Sequence, residues 1–284
     1  MRIQVPKISS LSEYYVYAPS ILAQKIYLYP LSVGHYIYEP GYEISRNNFD
    51  SFLIMFIIKG FCSVWTNGQA YAAKSGDVVL LDCYMPHSYG SHSAWETIWL
   101  HFDGPVARAY YQEIGSHYGH VLTLPNDQNV RGLLEKIYNS YRNAAPIVES
   151  ALSGDITSIL NELLIPKADI RKKSIYPMDI SDIVAYINEH FREQISLGDL
   201  AAKANLSLYY FTRVFSWETG YTPHQYLINT RITAAKYMLK SSESSIKNIA
   251  FSTGFNSESN FCTTFKKWEN LTPSEYRESI HNKR

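Results

Sequence analysis

Residues 196–226 read SLGDLAAKANLSLYYFTRVFSWETGYTPHQY, and residues 245–276 read SIKNIAFSTGFNSESNFCTTFKKWENLTPSEY. Laid over one another, these stretches decide the fold of the carboxyl half. Leu200-Ala201 recurs as Ile249-Ala250, and Leu206 as Phe255, at a spacing of 49. After one inserted residue, Ser207, Phe211, Phe215, Thr222-Pro223 and Tyr226 recur as Ser257, Phe261, Phe265, Thr272-Pro273 and Tyr276, at a spacing of 50. Two copies are too few for a solenoid, which needs about three repeats to bury a core, so the pattern is a duplicated module.

Each copy has the layout of a helix-turn-helix. Ser196 is placed to cap a short helix carrying Leu197, Leu200, Ala201 and Ala204. Asp199 stands three residues on, where a negative charge favours a helix N-terminus. Asn205-Leu206 makes the turn, and Ser207 caps a second helix that buries Phe211, Val214 and Phe215. Ser245, Gly254-Phe255 and Ser257 repeat the arrangement, with Phe261 and Phe265 inward. Ala201 and Ala250 are small enough for the paired helices to approach closely. Between the copies, Pro223 to Leu239 reads as one long helix with Tyr226, Ile232, Ala235 and Leu239 inward, a stiff strut between two heads.

Working outward, charge separates the chain into two parts. The 284 residues carry 26 basic and 26 acidic side chains. From Ile195 onward there are 11 Lys and Arg against 7 Asp and Glu, and the preceding residues hold 15 against 19. A basic tail on an acidic body is the asymmetry expected when one part meets a polyanion.

The first 125 residues read as strands. Phe52 to Ile58 is a continuous apolar, β-rich run, hence a buried strand. Asn67-Gly68 between Cys62–Trp65 and Tyr71–Ala73 is a strong hairpin signal. Val78 to Leu81 is a further strand, and Pro86 to Gly90 reads as a loop. Trp95 to Phe102 alternates, with Trp95, Thr97, Trp99 and His101 on one face and Glu96, Ile98, Leu100 and Phe102 on the other. These short strands describe a small β-barrel or sandwich. From about Asn129 the period becomes helical: Val130, Leu133, Leu134, Ile137 and Tyr141, then Ile156, Ile159, Leu160, Leu163 and Leu164 up to Pro166. Residues 167–178 read as a linker. The expected organisation is a multidomain α+β chain with units at 1–125, 126–166 and 179–284.

Three cysteines, Cys62, Cys83 and Cys262, are too few and too scattered for a disulfide framework or a zinc cluster, which fits a reducing cytoplasm. The longest apolar run falls far short of the ~20 residues that span a bilayer. Met1 to Lys7 lacks the apolar stretch of a signal peptide. A membrane role is not expected.

Residues 195–277 resemble the double helix-turn-helix domain of the AraC/XylS transcription regulators. The resemblance is carried by Leu200-Ala201, Ser207, Phe211, Gly220-Tyr-Thr-Pro223, Tyr226, Arg231-Ile232, Ala235, Ile246, Ile249-Ala250, Gly254-Phe255, Phe261, Phe265-Lys266, Thr272-Pro273 and Tyr276-Arg277. It implies that the second helix of each unit enters the major groove of double-stranded DNA, the two heads meeting grooves about 34 Å apart. Tyr209, Thr212 and Arg213 then occupy the base-facing positions of the first head, with Arg213 suited to guanine. Glu258, Ser259, Cys262 and Thr263 stand at the matched positions of the second. That head lacks a basic reader, so it is expected to orient more than discriminate, with Ser257, Lys266, Lys267 and helix-terminal amides on phosphates, while Ser207 counts among the DNA-contacting residues of the first head.

The first ~125 residues resemble the cupin-like effector domain of sugar-responsive members. The resemblance rests on Gly60, Gly76-Asp77-Val-Val-Leu-Leu81, Pro86-His87-x-Tyr89-Gly90 and Trp95-Glu96-x-x-Trp99-x-His101-Phe102. It implies a sugar site at Arg46, Tyr89, Thr97, Trp99 and His101. The chemistry suits a sugar, since a flat indole covers its C–H face while arginine and hydroxyls reach its rim. His87 and His101 lack the His-x-His pair and glutamate of metal-binding cupins, so neither a metal nor another cofactor is expected. The same resemblance implies a homodimer formed through 126–166, contact with RNA polymerase, and activation of carbohydrate genes. Two rival readings stay open: a regulator whose barrel only dimerises, and a cupin enzyme with a helical tail.

Overall fold

The computed structural model describes residues 6–164 and 180–281. The chain divides into two compact units, Met1–Ile170 and Arg171–Arg284. The linker expected at 167–178, Pro166 as a helix terminator and residues 1–5 of the amino-terminal stretch lie outside the described residues.

The first unit runs β1 (Glu13–Val16), α1 (Ile21–Ile26), β2 (Tyr29–Tyr38), β3 (Tyr42–Arg46), β4 (Phe52–Lys59), β5 (Phe61–Thr66), β6 (Gln69–Lys74), β7 (Asp77–Asp82), β8 (His87–Ser91), β9 (Trp95–Asp103), α2 (Ala107–Tyr118), β10 (Val121–Thr123), α3 (Gln128–Arg142) and α4 (Glu149–Leu164). Its strands form two antiparallel sheets, β1-β2-β9-β4-β7-β10 and β3-β8-β5-β6. The β5–β6 hairpin turns on Asn67 and Gly68, whose φ angles of 52° and 74° are those the dipeptide favours.

The two sheets enclose one core, in which Met55, Ile57, Val64, Leu81, Trp95 and Trp99 meet. The other face of the larger sheet, including Ile54, Phe56, Leu100 and Phe102, is covered by α2, α3 and α4. The larger sheet is therefore a middle layer. That explains why Phe52 to Ile57 is apolar without alternation: both its faces are buried. In β9 the two expected faces go to different cores, Trp95 and Trp99 inward between the sheets, Ile98, Leu100 and Phe102 towards the helices.

Two sequence expectations are corrected here. Pro86 to Gly90 is not all loop, because His87–Ser91 forms β8, paired with both β3 and β5. His87, Tyr89 and Ser91 alternate with less buried Ser88 and Gly90, a period of two that the neighbouring Pro and Gly obscured. Residues 126–166 do not stand apart, since Val130, Leu134, Ile156 and Leu160 share a core with the sheet.

The second unit contains α5 (Ile180–His190), α6 (Leu197–Lys203), α7 (Leu208–Thr219), α8 (Pro223–Ser241), α9 (Ile246–Ser252), α10 (Glu258–Glu269) and α11 (Pro273–His281). The duplication is visible in its caps. Ser207 Oγ accepts from the Tyr210 amide and Ser257 Oγ from the Asn260 amide. Thr222 pairs reciprocally with Gln225, as Thr272 does with Glu275. Each cap satisfies amides that the first helical turn leaves without partners. Gly220 and Asn270 close α7 and α10 in the same left-handed conformation, φ 73° and 61°.

Candidate nucleic-acid interface and effector chamber

In the second unit, one phenylalanine pair and one tyrosine set each second helix. Phe211, Phe215 and Tyr226 pack tilted and edge-to-face at centroid distances of 5.6 and 5.7 Å, and Phe261, Phe265 and Tyr276 edge-to-face at 5.5 and 5.5 Å. All four phenylalanines are fully buried. This packing turns the opposite face of α7 outward, where Tyr209 is 79% exposed and Arg213 is exposed with no acid paired to it among the described residues. Thr212 is half-buried and its Oγ1 donates to the Leu208 carbonyl at 2.8 Å, so its methyl is the freer contact. On α10, Glu258, Ser259, Thr263, Lys266 and Lys267 are exposed, and Cys262 is half-buried. Thr263 Oγ1 is likewise turned back to the Ser259 carbonyl, at 3.0 Å. The hydroxyls of Ser207 and Ser257 are occupied as caps.

One residue with no assigned role in the sequence reading joins the two heads. Arg231, in the middle of α8, is buried and pairs with no carboxylate among the described residues. Its Nε donates to the Phe191 carbonyl at 2.8 Å and its Nη2 to the Glu193 carbonyl at 2.7 Å. Burial lowers its pKa from the ordinary arginine value. The guanidinium also lies 5.8 Å over the Phe255 ring of the second head. Beside it, Gln194 donates to Asn256 Oδ1 at 2.7 Å. Gly254, at φ 85°, admits the Phe191 and Arg192 carbonyls where a Cβ would collide with them. The α5–α6 connection of the first head is thus clamped onto the turn of the second.

In the first unit, a chamber of about 200 Å³ opens between the two sheets. Of the five residues expected to hold a ligand, it brings together Arg46, Tyr89, Trp99 and His101. Thr97 is the correction. It is fully buried, and its hydroxyl donates to the Phe56 carbonyl at 2.6 Å, spent within the sheet. Trp99 is held by Tyr36, edge-on at 5.1 Å, and His101, at 5.4 Å. Gly34 leaves the room its indole occupies.

The sequence reading missed Tyr14, Tyr36, Tyr38, Tyr42 and Phe49, which complete the wall together with Val16 and Ser32. The i, i+2 spacing of Tyr36 and Tyr38 on a strand was the available signal for the two β2 residues.

Burial pushes the phenols of Tyr36, Tyr38, Tyr42 and Tyr89 above their ordinary value, so all four keep their protons. Burial, with Arg46 and His87 nearby, pushes His101 down to about 3, so its ring is neutral. Ser51 Oγ lies 2.8 Å from His101 Nδ1 and gives its own proton to the Phe49 carbonyl. Nδ1 therefore carries the ring hydrogen, and Nε2 is left as an acceptor. Among the described residues, no three His, Cys, Asp or Glu side chains are grouped to hold a metal.

The fold and these two sites define a DNA-binding protein with paired helix-turn-helix heads and an attached ligand-binding β-domain. The profile of the AraC-like ligand binding domain matches residues 29–160, and that of a helix-turn-helix domain matches residues 200–279. The chain belongs to the AraC family of transcription regulators.

It is 28% identical to the MmsAB operon regulatory protein of Pseudomonas aeruginosa, over 89% of this chain and 83% of that one. It is 24% identical to the Msm operon regulatory protein of Streptococcus mutans, over 89% and 95%. Identity to the raffinose operon transcriptional regulatory protein of Pediococcus pentosaceus is 26%, over 85% and 90%. No helix among the described residues is long and apolar enough to cross a membrane.

Proposed function

We propose that this regulator senses a sugar in the chamber around Trp99 and responds by re-placing its two DNA-reading heads. On this reading it acts in the cytoplasm as a homodimer, recruits RNA polymerase, and activates genes of carbohydrate uptake or breakdown. The observation that carries the reading is the matched construction of α7 and α10. Two helices with the same serine cap, phenylalanine pair and left-handed stop are tied to one 19-residue helix, about 28 Å long at 1.5 Å per residue. That construction suits insertion into successive major grooves of one duplex. A raffinose operon regulator among the relatives supports the sugar assignment. Binding of ligand shifts the heads only by as much as its affinity differs between the two arrangements.

Within the first head, Tyr209, Thr212 and Arg213 read bases. In the second, Glu258, Ser259, Cys262 and Thr263 face the groove, while Lys266 and Lys267 hold phosphates and the Ser207 and Ser257 caps present helix-terminal amides. Arg213→Ala is expected to weaken specific operator binding by about 1–3 kcal/mol and to relax the preference at one guanine. Fluorescence anisotropy against operator and scrambled duplexes measures both, and an unchanged specificity ratio would remove Arg213 from base readout.

Trp99→Ala is expected to abolish the ligand response of a reporter gene while operator binding persists, because the heads fold in a separate unit. Full induction by the variant would place the sensor elsewhere in the chain.

A further inference from the structure

The chamber around Trp99 has a neighbour. A more open cleft of about 460 Å³ adjoins it, and the two share Val16, Ser32 and Phe49. Val16 is 58% exposed and Phe49 41%, so the shared border is an open rim and not a buried partition. That rim is held in place. The Phe49 amide donates to the Cys83 carbonyl at 2.7 Å, and its carbonyl accepts from Ser51 Oγ at 2.7 Å. Its ring lies 4.5 Å from the His101 ring, with the Arg46 guanidinium 4.3 Å over it.

Size divides a ligand between the two spaces. The chamber, about 200 Å³, is below the roughly 300–1,000 Å³ of drug-sized sites and is the scale of one six-membered ring. Its buried Trp99 Nε1–H has no partner among the described residues, a donor that a ligand oxygen would satisfy. The outer cleft is more than twice as large. A ligand longer than one ring, with its first ring on Trp99, continues past Phe49.

The lining of the outer cleft is two-sided, as a sugar ring is. Val16, Leu31 and Phe49 offer apolar contact to a C–H face, Phe49 with an aromatic ring. Asn48 and Asp50 add side-chain oxygens, and the Asp50 amide donates to Asn48 Oδ1 at 3.2 Å, which holds the two together. The exposed Asp50 carboxylate makes no hydrogen bond or ion pair with another described residue. An ionised carboxylate only accepts, so it calls for donors, and neighbouring sugar hydroxyls supply them. Among the described residues no Lys, Arg or His lines this cleft, so an anionic group has no counter-charge there.

Resting on the sugar-sensing reading above, we infer that the ligand is a neutral disaccharide or longer saccharide, with one unit in the chamber on Trp99 and the next in the outer cleft, its hydroxyls on Asp50 and its apolar face on Phe49. Asp50 is then the residue that distinguishes a disaccharide from a monosaccharide.

The test is calorimetric titration of the full chain with glucose, galactose, maltose, cellobiose, lactose and melibiose in one buffer. At least one disaccharide is expected to bind about 10- to 100-fold more tightly than either of its constituent monosaccharides, the range of a hydrogen bond to a charged group. Asp50→Ala should remove that gain and leave monosaccharide affinity within about 3-fold. Asp50→Asn, which keeps an acceptor oxygen, should retain part of it. The position is exposed, so neither substitution threatens the fold. Monosaccharides binding as tightly as disaccharides, or Asp50→Ala leaving the preference intact or weakening both alike, overturns the outer subsite and leaves the chamber as the sensor. Binding that survives Trp99→Ala unchanged overturns the sensing reading beneath it. Failure of all six sugars to bind overturns both.

Discussion

Phe261→Ala is expected to unfold the second helix-turn-helix unit and to lower operator affinity by more than about 100-fold. Phe261 is fully buried between Phe255, at 5.1 Å, and Phe265, at 5.5 Å. Truncating such a ring costs about 3–5 kcal/mol, a large share of the roughly 5–15 kcal/mol that holds a domain together. The small core around it, with Ile249, Ala250 and Leu239, offers little to collapse into the cavity. At 1.4 kcal/mol per factor of ten, loss of one head's contacts reaches 100-fold once it is worth about 3 kcal/mol. Circular dichroism melting of the full chain should show an early transition, and anisotropy the fall in affinity. An early transition with undiminished affinity would mean that the second head takes no part in binding.

Arg231→Ala is expected to separate the heads without unfolding either. Its two hydrogen bonds to backbone carbonyls involve a charged donor, worth about 1.5–3 kcal/mol each. They join α8 to the α5–α6 connection, whereas the two phenylalanine cores lie elsewhere along the strut, Leu227 in one and Ile232, Ala235 and Leu239 in the other. Affinity for a duplex with both half-sites should drop about 10- to 100-fold, and affinity for a single half-site should stay within about 3-fold. Arg231→Lys should recover little, because one ammonium cannot reproduce the fork. Equal losses on both duplexes would make Arg231 a folding residue and nothing more.

What was legible in the sequence was local. Caps at Ser196, Ser207, Ser245 and Ser257, the left-handed turn positions and the 3.6-period phenylalanines are short-range physics, and the structure has them where the sequence puts them. The continuous run at Phe52 also announced its strand. What was not legible depended on partners distant in the chain. Thr97 and Trp99 share a strand face, yet only Trp99 reaches the chamber, because a bulge near Ile57 and Lys59 and the Phe56 carbonyl decide where the Thr97 hydroxyl goes. Tyr36, Tyr38 and Tyr42 join the wall through the pairing of β2 with β9 and β3 with β8, a register that their spacing alone does not set. Arg231 stands in the sequence only as part of the family resemblance. Its burial follows from the approach of the α5–α6 connection, which periodicity does not reveal.

The most direct test of the central claim is a methylation-protection footprint on duplexes selected from a random pool by the full chain. Two protected major-groove segments about 10 base pairs apart, on one face of the duplex, are predicted, with one of them lost in Phe261→Ala. A single protected segment in the unmodified chain, or two on opposite faces, would contradict the account.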